Sequence, residues 1–176
     1  KMHLRAKVEV QEAREKVDAS QVVIDGGQGT LGTKRGMDQG RIGKGFSSGR
    51  VMEFFREYGI TAGMVSLGGN VQTLNTRPDG KPWQIGIQNP NGQQGSLLAV
   101  LSVENKAVIT SGGYERYFEE DGNTYIHILN PKTGYPADSG LVSVSVISEN
   151  GMLADALSTS LYLMGEEPAA GYWRTH

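Results

Sequence analysis

Apolar positions recur along this chain with two periods, and the two-residue period of half-buried strands covers most of it. Helical spacing marks three stretches. Residues 8–17 read as a short polar helix. Val51, Phe54, Phe55 and Tyr58 fall at i, i+3, i+4 and i+7, which predicts a helix from Ser47 or Ser48 to Tyr58, capped by serine and stopped by Gly59. Near the C-terminus Leu153, Leu157, Leu161 and Met164 share one stripe at 3.6 residues per turn, so that helix is expected to pack on its leucines. Asp155 and Thr159 then lie on roughly the opposite face, with their oxygens pointing away from the packing surface. Strands are predicted at residues 21–25, 63–67, 71–74, 83–87, 97–103, 107–109, 114–119, 124–129 and 142–147, separated by Gly, Asn, Asp and Pro turns such as PDGKP and EDGN. These connections are too short for crossover helices. The expected class is therefore α+β, a largely antiparallel mixed sheet with flanking helices, rather than a doubly wound α/β fold.

Size and composition bound what such a fold can do. With 176 residues, 38% hydrophobic and 20% charged, the chain has the size of one globular domain with a real core. Its net charge of −2 and scattered Lys and Arg argue against nucleic-acid binding, which needs many phosphate-neutralising cations on one face. The absence of cysteine excludes disulfides, zinc–thiolate sites and thiol nucleophiles. No apolar run approaches the roughly 20 residues of a membrane-spanning helix, and the start KMHLRAKVEVQEAREKV reads as a charged helix rather than a signal peptide. Met2 behind Lys1, and an ending AAGYWRTH just past a helix, lead to the expectation that this single domain (residues 1–176) is part of a longer natural chain.

Two glycine-rich segments imitate nucleotide motifs. GGQGTLG contains G-x-G-x-x-G after a strand, but the following TKRGMDQGR is polar and glycine-broken and cannot open the apolar helix of a dinucleotide fold, so it reads as a hairpin turn. GRIGKG, residues 40–45, lacks the hydroxyl residue after Lys44 and the spacing of a Walker loop. It still leads into a helix whose N-terminus attracts anions, and Lys44 adds a full charge.

Four segments taken together, DQGRIGKGF, SLGGN, ITSGGYERYF with HILNPKTGYP, and ADALSTSLYLMG, resemble the ApbE-type FAD:protein FMN transferases in order and spacing as well as content. The resemblance covers about residues 17–165 and corresponds to the middle and later part of a family member. It implies an ApbE-like, T-fold-related domain that takes FAD as substrate, uses Mg²⁺, and moves FMN to a Thr or Ser hydroxyl of a target flavoprotein, with AMP released. Carried over position by position, it implies metal ligands at the Gly43 carbonyl, Asp155 and Thr159, with His127 and Asp155 catalytic. It implies cofactor contacts at Lys44, Gly68, Gly69, Asn70, Tyr114, Arg116, Thr133, Gly134 and Tyr135. Gln39, Arg41, Asn130 and Leu153 depart from the family pattern; at position 41 the pattern has glycine, and at 130 aspartate is commoner. On the residues alone, Gly68 and Gly69 read equally well as a turn between strands, and Tyr114, Arg116 and Phe118 as one face of a strand. FAD hydrolysis to FMN and AMP, and FAD binding without turnover, remain alternative activities. The resemblance further suggests a bacterial cell-envelope location with a possible upstream lipid anchor.

Overall fold

A computed structural model of the protein describes residues 7–93 and 95–176. The first six residues of the charged N-terminal pattern lie outside that range; of its remainder Lys7–Arg14 forms α1, which ends three residues before the predicted residue 17. Then follow a hairpin of β1 (Val22–Asp25) and β2 (Gln28–Leu31), helix α2 (Gly43–Glu57), β3 (Gly63–Leu67) and β4 (Asn70–Leu74). A second hairpin, β5 (Trp83–Gln88) with β6 (Leu97–Val103), precedes β7 (Ala107–Gly112), and a third, β8 (Tyr117–Glu120) with β9 (Asn123–Ile126), precedes β10 (Ser143–Ser148). The chain closes with α3 (Gly151–Met164) and α4 (Glu166–Thr175). No helix among the described residues is long and apolar enough to cross a membrane.

The centre is a four-stranded sheet in the order β10-β7-β4-β3, and every pairing in it is antiparallel. The expected α+β class holds. Two hairpins are inserted between neighbours of this sheet, β5–β6 between β4 and β7, and β8–β9 between β7 and β10. Strand β7 shows why the sheet is covered on both sides. Ala107 and Ile109 pack with Ala154 of α3, while the alternate residue Val108 joins Ile85, Ile87 and Val103 of the β5–β6 hairpin. Helix α2 lies on β3 and β4, and α3 on β7 and β10, so the two helices run side by side over one face.

Two-residue turns set the registers. Leu67 pairs with Asn70, and Gly68 and Gly69 between them adopt φ of 55° and 89°, the left-handed pair that a tight hairpin matching strand twist requires. GGQGTLG is likewise a hairpin, with Asp25 paired to Gln28, so the turn reading of that segment holds.

Both long helices differ from expectation in which face they bury. Helix α2 begins at Gly43, four residues before the predicted serine cap, because the Ser47 and Ser48 hydroxyls donate back to the Gly43 and Gly45 carbonyls instead of capping a terminus. Its buried residues are Gly45, Ser48 and Met52, whereas Tyr58 of the predicted stripe is 80% exposed. In α3 the predicted leucine stripe is only partly the packing face, with Leu161 buried and Leu157 half-buried but Leu153 and Met164 exposed. Leu153 is 48% exposed, and the buried positions are Gly151, Ala154, Asp155, Ser158, Thr159, Leu161 and Tyr162. The physical reason is the closeness of the elements. A Cβ built on Gly45 would lie 2.2 Å from the Gly151 carbonyl oxygen and 2.8 Å from Asp155 Cβ, so only small side chains fit where α2 crosses α3. Two smaller differences follow from local geometry. Residues 113–115 form a 3₁₀ turn ahead of β8, which removes Tyr114 from the strand face predicted for it with Arg116 and Phe118. The segment beyond Gly165, which the sequence pattern leaves without an element, continues as α4.

Candidate active site

Asp155 and Thr159 do not face solvent; they are 4% and 8% exposed and turn toward the sheet and α2. What meets them there is polar. Asp155 Oδ2 accepts a hydrogen bond from the Gly45 amide at 2.8 Å, and Thr159 Oγ1 lies 3.0 Å from Ser111 Oγ at the end of β7. Ile42, at the N-cap of α2, offers no side-chain cap, so Asp155 reaches across from α3 to satisfy an amide of the first turn of α2. A carboxylate that elsewhere would be a costly buried charge is thereby paired with a helix N-terminus.

These oxygens form one wall of a cavity of about 270 Å³. It is also lined by three cations, Arg41, Lys44 and Arg116, together with His127, Glu115 and Asp38. Local bonding explains each position. Asp38 Oδ1 accepts from the Gly40 amide at 2.6 Å, a tight Asx turn that aims the following Arg41 and the first turn of α2, with Lys44, at the cavity. Arg116 leads into β8, and its carbonyl accepts from both the amide and the ring Nδ1 of His127, each at 3.1 Å. A carbonyl only accepts, so Nδ1 carries the proton and Nε2 of the neutral ring presents its lone pair. Arg41 Nη1 stands 3.4 Å from that Nε2, and its Nη2 donates to the His127 carbonyl at 3.5 Å.

The electrostatics follow from the same neighbours. Burial, then the nearby Arg41, Arg116 and Lys44 charges, hold the His127 pKa below its ordinary 6.5, opposed by the bond to the Arg116 carbonyl. Desolvation pushes the Glu115 carboxyl up, against the pull of Lys44, Arg116 and Arg41. His127 is therefore a base already free of its proton at neutral pH. Replacing Arg41 with glycine removes one of the opposing cations, and the expected result is a rise of the His127 pKa toward 6.5, read from its ring ¹H NMR titration.

Of the residues singled out in the sequence, Lys44, Arg116, His127, Asp155 and Thr159 come together in this cavity. Gly43 does not line it; its carbonyl accepts from Ser47 Oγ at 2.8 Å. Gly68 and Gly69 are turn residues. Asn70, which follows them, is fully buried, and its Nδ2 has no hydrogen-bond partner among the described residues. Tyr114 sits in the 3₁₀ turn, its ring against Gly112. Thr133, Gly134 and Tyr135 form a separate loop. Asn130 Oδ1 accepts from the Lys132 amide there, a task aspartate performs equally well, and Gly134 packs under Val10 and Arg14 of α1. Several cavity residues escaped sequence reasoning as contributors, among them Arg41, noticed only as a departure, and Asp38, Thr110, Ser111 and Glu115. The Asp38-x-Gly40 pair was the available signal, since Asp two residues before Gly favours an Asx turn.

The donor set can be tested against a divalent cation. No group of three His, Cys, Asp or Glu side chains that would hold a metal converges among the described residues. What exists is one carboxylate and one hydroxyl a turn apart, with only one carboxylate oxygen committed to Gly45. Such a sparse, hard-oxygen set suits Mg²⁺ completed by substrate phosphates, and does not suit zinc.

Comparison with known proteins places the chain in a family. The model of the ApbE family matches residues 1–176. A Klebsiella pneumoniae (strain 342) protein named FAD:protein FMN transferase is 40% identical over 131 residues, 74% of this chain and 40% of that protein. A Treponema pallidum (strain Nichols) protein of the same name is 34% identical over 146 residues, 78% of this chain and 40% of that one. The solved flavin transferase ApbE from Vibrio cholerae matches with a TM-score of 0.88 at 30% identity, covering 99% of this chain and 55% of that chain. For the ApbE protein from Thermotoga maritima MSB8 the TM-score is 0.87 at 32% identity, with coverage of 99% and 55%. This chain thus spans about 40% of the length of the curated relatives it matches. With the family model matching residues 1–176 and the fold matching solved ApbE structures, the chain belongs to the ApbE family.

Proposed function

We propose that this protein is an Mg²⁺-dependent FAD:protein FMN transferase, moving FMN from FAD to a Thr or Ser hydroxyl of a target flavoprotein with release of AMP. One observation carries the reading: three cations, a neutral imidazole and the Asp155–Thr159 pair line a single cavity. Phosphoryl transfer requires charge neutralisation and in-line positioning more than covalent help. Arg41, Lys44 and Arg116 are the groups that would meet a diphosphate, the two arginines able to grip oxygens in pairs and the lysine acting as a point charge. Asp155 and Thr159 would hold Mg²⁺, which when bound supplies charge neutralisation at phosphate oxygens. The acceptor hydroxyl attacks the FMN-side phosphorus. A new P–O bond forms, the bridging P–O bond to AMP breaks, AMP leaves with the electron pair, and His127 Nε2 takes the hydroxyl proton. An incoming diphosphate also draws Arg41 away from Nε2 by offering it a stronger acceptor.

The test is incubation with FAD and Mg²⁺, with and without a candidate acceptor flavoprotein. Flavin that stays on the acceptor through denaturation, with matching AMP, is the expected result. Free FMN in the presence of acceptor would make the protein an FAD pyrophosphatase, and bound FAD without AMP would make it a binding module. His127→Ala is expected to lower the rate of AMP release about 10²-fold or more. The kcat/KM profile of the unsubstituted protein is expected to rise with pH and to level off at an apparent pKa below the ordinary 6.5, since the base must be neutral and its pKa in the free protein is depressed. An acid limb above that value would remove His127 from the role.

A further inference from the structure

The hydroxyls behind Thr159 form a chain whose proton order can be read from its ends. Ser158 Oγ donates to the Asp155 carbonyl at 2.9 Å, and a carbonyl cannot donate in return, so the single Ser158 proton is spent there. Ser111 Oγ lies 2.8 Å from Ser158 Oγ, and Ser158 has only a lone pair left to offer; Ser111 must donate. The Ser111 proton is then spent too. Thr159 Oγ1, 3.0 Å from Ser111 Oγ, must therefore be the donor in that contact. Ser158 is fully buried, so water does not compete for its proton, while Ser111 and Thr159 stand at the cavity wall.

We infer that Ser111 is a positioning residue that takes the Thr159 proton, so that Thr159 Oγ1 turns only lone pairs toward the cavity and acts as a cation ligand. The inference rests on the reading that Asp155 and Thr159 hold the divalent ion. Without the Ser111 acceptor, the Thr159 hydroxyl is free to rotate and can aim its proton, rather than a lone pair, at a cation. Ser111 sits at the C-terminal end of β7 and Ser158 on α3, so the polarity of the chain is set across two elements that meet only in the folded protein. Outer hydrogen bonds of this kind typically govern metal affinity by 10- to 100-fold.

The experiment is titration with Mn²⁺ alone, free ion being read from its EPR signal, alongside the melting temperature of each variant without metal. Ser111→Ala is expected to weaken Mn²⁺ binding about tenfold. Ser158→Ala frees the Ser111 proton to turn on Thr159 and is expected to weaken binding in the same direction, without touching the ligand. The decisive arm is the pair: once Thr159→Val has removed the ligand, adding Ser111→Ala is expected to cost no further affinity, because its effect travels through Thr159. If Ser111→Ala and Ser158→Ala both bind Mn²⁺ like the unsubstituted protein while Asp155→Ala and Thr159→Val lose it, the positioning role is overturned and the metal reading stands. If Thr159→Val binds normally, the metal reading itself fails. Equal further losses in the Thr159→Val background would show a general structural effect and also overturn the inference.

Discussion

Asp155→Ala is expected to lower Mg²⁺-dependent AMP release from FAD roughly 10³-fold, the rate equivalent of the several kcal/mol that a metal-held phosphate contributes. The same change is expected to destabilise the protein by about 1–3 kcal/mol, because it strands the buried Gly45 amide that Asp155 Oδ2 now satisfies. Those two effects have separable causes. Asp155→Asn keeps an oxygen for the Gly45 amide but removes the charge, so it should recover most of the stability and little of the activity. Rates of AMP formation and chemical denaturation midpoints measured on both variants decide the matter. If the asparagine variant keeps full metal-dependent activity, Asp155 is only a helix cap borrowed from a neighbouring element, and the metal assignment is lost.

Gly45→Ala should be among the most damaging single-atom additions in the chain. Its new methyl would stand 2.2 Å from the Gly151 carbonyl oxygen and 2.7 Å from the carbonyl carbon, and backbone of a packed helix cannot step aside as a side-chain tip can. Overpacking of this kind costs about 3 kcal/mol or more, which for a chain of this size lowers the melting temperature by roughly 6–12 °C. Because Asp155 Cβ would lie only 2.8 Å from the methyl, the carboxylate must shift as well, and activity falls with stability. Gly49, one turn further along α2, is the internal control. A Cβ there meets nothing within 4 Å, so Gly49→Ala should leave stability unchanged or raise it by about 0.5–1 kcal/mol by removing a flexible residue from a helix. Similar melting temperatures for the two alanine variants would mean that α2 and α3 are not in the close contact described.

The elements that were legible in the sequence are those whose signal is local. Strands β3 and β6 fall where the sequence placed them, because a short apolar run and its flanking turns are contained in a few consecutive residues. The Gly68–Gly69 turn was readable as a turn for the same reason, and its hairpin geometry bears out the turn reading. Asp155 and Thr159 were legible as neighbours, since one helical turn separates them whatever the fold. Their burial was not legible. Leucine spacing put the centre of the α3 packing face on a stripe of which Leu161 is buried but Leu153 and Met164 are exposed, because a hydrophobic pattern measures transfer free energy of side chains and is blind to how closely a backbone can approach.

Arg41 shows the same limit in the cavity. As a sequence departure it had no assigned task; in the fold it lies against His127, 86 residues away. Ser111 is an unremarked hydroxyl at a strand end until the fold places it on Thr159, and Glu115 is one charge among many until Lys44, Arg41 and Arg116 surround it.

The sequence by itself determined the α+β class, the hairpins, the helical spacing of the two ligand candidates and the motifs that mark the ApbE family. Tertiary structure alone decided which helix faces are buried, which of the motif residues share one cavity, and which way the hydroxyl protons run. The reason is distance along the chain. The contacts that decide these things join residues 110, 86 and 48 positions apart, Gly45 to Asp155, Arg41 to His127 and Ser111 to Thr159, and no local period carries information across such gaps.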